Sequence, residues 1–121
     1  WASAGFPDGL VDDAERRHGV HGGTVETAMM LHLRPDLVDM GRAENFEPVS
    51  VAIEARNRRL RLVGPMQIGW MAQDLHPMGV AGDATAATAE LGAAIVEGVV
   101  ARYAELLDEI AAYPLDALAE R

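Results

Sequence analysis

The residue types able to do chemistry together stand at His21 and Glu26, within the run His21-Gly22-Gly23-Thr24-Val25-Glu26-Thr27. The run combines an imidazole, two glycines and a carboxylate. Gly22 and Gly23 permit a sharp backbone entry and leave the approach to His21 open. A run of apolar residues with helical spacing follows at once. Glu26 therefore falls in the first turn of a helix, where it and His21 can converge across the loop-to-helix junction. The same pattern admits a structural reading, in which Glu26 caps the helix and complements its positive N-terminus.

Other elements must hold this junction in place. From Val25, Met29 and Leu33 follow at steps of four, with Ala28 and Leu31 widening the stripe, and Pro35 ends the helix. One further turn is expected over residues 36–40. A longer helix is expected from about Thr85 to Ala112, with Leu91, Ile95, Val99, Arg102, Leu106 and Ile110 along one face and Pro114 as its stop. Such a helix must cover a sheet or another helix along its length. Gly79 to Gly82 reads as a glycine-bracketed loop with Asp83 as N-cap; it lacks the lysine of a phosphate-binding loop, which favours a structural turn over an anion site.

Alternation over Arg58 to Val63 and the short segment Ile68 to Met71 predict two strands able to pair as a hairpin around Gly64-Pro65. Val49 to Ala55 reads as helix or loop, and residues 42–50 as turn. Residues 1–20 read as irregular, with one helical turn near residues 11–19. Trp70, Asp74 and His76 share a loop, where functional side chains collect; the structural alternative makes Trp70 a core anchor and the other two turn caps. Most methionines are expected to fill core gaps, and neither His18 nor His32 receives a role.

The chain has 121 residues, half of them apolar, which suits one globular domain at most. A net charge of −9 argues against nucleic acid as a partner. No stretch approaches the length of a membrane span, so no membrane partner is expected. There is no cysteine, so a metal must be held by histidine and carboxylate. No basic segment precedes an apolar core, and a cytoplasmic setting is the default expectation.

The run HGGTVETAMMLHLRPDLVDM resembles the C-terminal signature of the creatininase (creatinine amidohydrolase) family: His-Ala/Gly-Gly-x-x-Glu-Thr-Ser/Ala, an apolar helix, then Pro-Asp-Leu-Val. A second block, Gly69 to Asp83, followed by Ala86, Thr88, Ala89, Glu90 and Gly92, agrees with the family in order and spacing. The resemblance implies an α/β fold, part of a three-layer α/β/α domain of which residues 1–121 would be the C-terminal portion. In the family a tryptophan near the place of Trp1 ends a core strand, so the chain would begin in mid-domain.

The resemblance also implies a metal-dependent amidohydrolase that opens a cyclic or linear amide of a small molecule. Two divalent ions, zinc, manganese or iron, would activate the attacking water. His21 would handle a proton or bind the tetrahedral intermediate. Glu26 would be a metal ligand or general base. Trp70 and Asp74 would line the substrate pocket, and a homo-oligomer is expected. Arg17 and His18 stand where true creatininases carry the Trp-Asp pair that grips creatinine, which argues against creatinine as substrate. The family's Glu-x-His pair, bridging Asp and Asn-Gly-His block are not in these residues, so the chain is expected to be inactive alone. The competing expectation is a non-catalytic α/β scaffold or assembly subunit.

Overall fold

A computed structural model describes residues 5–115; Trp1 lies outside them. The first helix, α1, spans Asp13–His18, six residues where a single turn is expected. The Asp12 carboxylate accepts the Glu15 N–H at 2.7 Å, and acidic residues at the start with basic residues at the end match the helix dipole. Helix α2 spans Thr24–Leu33 and stops before Pro35, as the proline requires. Single 3-10 turns follow at Pro35–Leu37 and Met40–Arg42.

The 24-residue helix α5, Ala89–Ala112, is roughly 36 Å long by its rise per residue. It crosses α2 so closely that a Cβ at Gly92 would lie 1.9 Å from the Ala28 carbonyl oxygen. Ala28 and Ile95 are fully buried there, and Val25 and Val99 complete a core flanked by Phe6, Leu10, Met29 and Tyr103. The helix starts later than Thr85. The Asp83 carboxylate caps Thr85 N at 2.9 Å and begins only a 3-10 turn, Ala84–Ala86; Thr88 Oγ1, accepting Leu91 N–H, begins α5. Its later apolar residues, Leu106, Leu107 and Ile110, are exposed.

The sheet is small. Strand β1, Asn45–Phe46, pairs antiparallel with β2, Gly82–Asp83, in the register Asn45 to Asp83 and Phe46 to Gly82. Just before β2, Ala81 bridges His21 through backbone bonds in both directions, 3.2 and 2.6 Å. Residues 45–46 were expected as turn, and the pairing to β2 makes them strand. Helix α3, Val49–Arg56, resolves the helix-or-loop segment as helix. The hairpin over Arg58–Val63 and Ile68–Met71 does not form. Arg61 turns its guanidinium back onto the carbonyls of Asn57 and Leu60, curling the segment, and only one parallel bridge joins it to Gln67. Leu62 still reaches a second core with Leu75 and Ala81, while Leu60 and Val63 stay exposed.

Candidate active site

The loop His21–Gly23 is folded by its own helix. Gly22 adopts φ +70°, a left-handed backbone that favours glycine, and a Cβ there would press on Val80. Its N–H donates to Glu26 Oε2 at 2.7 Å, and His21 Nδ1 lies 3.2 Å from that same oxygen. Glu26 thus fastens the loop entering α2 and faces the imidazole. The His21 side chain is 56% exposed, so with Nδ1 facing the carboxylate, Nε2 is the nitrogen free to meet a ligand's proton.

Glu26 stands between two clefts. One, of about 480 Å³, is lined by Glu26 with Trp70, Arg17 and Val63 among others. The second, of about 380 Å³, runs from Gly22 and Glu26 to Met30, Met40 and Phe46. Trp70 therefore shares a cleft with Glu26, its indole N–H donating to the Leu62 carbonyl at 3.0 Å. Asp74 is not on the lining of either cleft. It sits in the short helix α4, Ala72–Leu75, accepting Met71 N–H at 2.8 Å. His76 stacks edge-on against Phe46, and His18 bonds Ser50 Oγ at 3.0 Å with Glu54 3.5 Å from its other nitrogen.

The residue that sequence reasoning missed is Glu15. Only 7% exposed, it accepts Thr24 N–H at 2.7 Å on Oε1 and Asp83 N–H at 3.0 Å on Oε2. Three glycines make room for it: a Cβ at Gly19, Gly23 or Gly82 would come within 2.2, 2.3 or 2.9 Å of the carboxylate oxygens. Burial pushes the Glu15 carboxyl above its ordinary value, and the backbone N–H groups partly offset that. The signal lay in Glu15, Gly19 and Gly23 at steps of four, but its third wall, Gly82, is distant in sequence.

A metal centre of the kind expected does not fit these residues alone. Among the described residues no three His, Cys, Asp or Glu side chains converge on one point, whereas divalent ions need more donors than His21 and Glu26 offer.

The scaffold mixes helix and strand and presents an exposed imidazole backed by a carboxylate; Glu26 lines both clefts, whereas His21 is on the lining of neither. The particular family is shown by the sequence: the creatininase (creatinine amidohydrolase) model matches residues 1–107, and the chain belongs to that amidohydrolase family. Among solved structures it is similar to a protein of Bacteroides fragilis provisionally named creatinine amidohydrolase, at 25% identity and a TM-score of 0.64. That match covers 88% of this chain and 41% of the other, so the chain spans under half the neighbour's length. No curated protein matches it. Among the described residues no helix is long and apolar enough to cross a membrane.

Proposed function

We propose that the chain forms the C-terminal part of a three-layer α/β/α enzyme that hydrolyses the amide C–N bond of a small molecule, with His21 as the proton-handling group. The observation that carries this reading is the shared oxygen: Glu26 Oε2 holds the Gly22 N–H and faces His21 Nδ1. In amide hydrolysis water adds to the carbonyl and the departing nitrogen must gain a proton as the C–N bond breaks. An imidazole oriented through Nδ1 can deliver that proton, or a hydrogen bond to the tetrahedral oxygen, from Nε2. Trp70, on the cleft that Glu26 lines, would offer an apolar face to the substrate. Asp74 would act at a distance by holding the turn into α4.

The divalent ions expected of the family, zinc, manganese or iron, fall in this proposal mainly to residues beyond these 121, with Glu26 as the one candidate ligand here. The activated water belongs to that same missing centre, and the isolated chain should not turn over. A cytoplasmic homo-oligomer acting on a small amide, without nucleic-acid or membrane partners, completes the proposal.

The test is made in the complete protein with a panel of small cyclic and linear amides. Glu26→Gln and His21→Asn should each lower kcat by roughly 10²- to 10⁴-fold, the usual contribution of a positioned acid or base, while the fold persists by circular dichroism. Metal analysis of the same samples should find divalent ions bound, fewer after Glu26→Gln. Unchanged turnover and metal content would remove His21 and Glu26 from the site, and a complete protein that opens none of the amides and holds no metal would make a non-catalytic scaffold the better reading.

A further inference from the structure

We propose that Glu15 is the positioning residue of this site: its carboxylate, seated among Gly19, Gly23 and Gly82, locks the start of α2 to β2 so that His21 and Glu26 meet. The inference rests on the proton-handling role proposed for that pair, but its geometry stands apart from any reaction. Glu15 joins two backbone donors, Thr24 N–H at the head of α2 and Asp83 N–H in β2. Thr24 Oγ1 in turn donates to the Asp83 carbonyl, closing the link from the other side. The residue before β2, Ala81, holds His21 by backbone bonds in both directions. His21 is thus fixed to one end of the segment Ala81–Asp83, and α2, which carries Glu26, is fixed to the other through Glu15.

The glycines show that the seat is built for a carboxylate. Any side chain at Gly19 or Gly23 would occupy the space of Glu15 Oε1, and one at Gly82 would meet Oε2 and the backbones of Gly19 and Gly23. Only an acceptor on each oxygen satisfies both N–H groups. Glutamine has the same shape but one acceptor; its NH₂ would face a backbone N–H, donor against donor.

Hydrogen exchange and amide chemical shifts of Glu15→Gln, read by NMR beside Glu26→Gln, test this in the complete protein. The Thr24 or Asp83 amide should exchange roughly tenfold to a hundredfold faster, the loss of a hydrogen bond to a charged acceptor. The Gly22 amide, more than five residues from the substitution, should shift toward its position in Glu26→Gln. A merely structural role would loosen Thr24 or Asp83 and leave Gly22 where it is, and that result overturns the proposal, as does no change at either. If Glu15→Gln does not fold, exchange in the unaltered protein decides. Thr24, Asp83 and Gly22 amides should share one opening, with protection of the same order, and independent opening of Gly22 refutes the link. Neither readout uses turnover. A Gly22 amide displaced in Glu15→Gln with activity intact would therefore count against the proposed reaction and leave the positioning role standing.

Discussion

Glu26 and Glu15, eleven residues apart, are carboxylates of two different kinds. Glu26 is 36% open to solvent and shares one oxygen between a backbone N–H and an imidazole; Glu15 is buried and gives one oxygen to each of two backbone N–H groups. Burial holds the folded-state pKa of Glu15 above its ordinary value. The folded protein therefore binds that proton more tightly than the unfolded chain. The group's stabilising contribution is fully present below the unfolded pKa of about 4.5 and is lost as pH rises through the raised folded value. Urea midpoints of the native protein and Glu15→Gln, compared in steps from neutral pH down to that region, should diverge, with the native protein gaining on the variant as the pH falls. Parallel curves would mean that the carboxyl is not perturbed. The His21–Glu26 pair was legible in the sequence because its members are neighbours across one junction. Glu15 was not, because its meaning depends on Asp83 and Gly82, and no local pattern relates residues 68 apart.

At the scale of elements, the crossing of α2 and α5 carries the packing. Gly92 faces the Ala28 carbonyl so closely that Gly92→Ala must separate the helices, at an expected cost of about 1–3 kcal/mol for overpacking. Ile95→Ala, at a fully buried site beside it, should cost about 2–5 kcal/mol. Urea denaturation checks both, and a change within error for Gly92→Ala would show the crossing to be looser than drawn. Both helices were legible from apolar spacing, Pro35 and Pro114. The error lay at the start of α5, where Asp83 and Thr88 are each competent caps and the chain between them spends Asp83 on a 3-10 turn. The expected hairpin failed for a different reason. Alternation in Arg58–Val63 describes a strand only if a partner lies alongside, and the Arg61 side chain instead takes up the neighbouring carbonyls.

For the whole molecule, the second half of α5 leaves Leu106, Leu107 and Ile110 in solvent, with the last two 61% exposed. A face of this kind is what the expected homo-oligomer would cover. Leu107→Glu combined with Ile110→Glu should reduce the sedimentation mass of the complete protein to that of one chain; an unchanged mass would place the subunit contact elsewhere. Membership of the family was legible in two blocks of sequence, whereas an oligomer contact depends on surfaces that no single run of residues describes. The segment Ala81–Asp83 has a consequence in time as well as space. Its bonds to His21 and Glu15 join parts of the chain 60 or more residues apart, so a ribosome releases the His21–Glu26 pair well before the strand that steadies it. At roughly 5–20 residues per second, the nascent chain carries that pair for several seconds before the strand arrives. The posture of that pair is thus completed only after residues 81–83 emerge, however early its own residues are made.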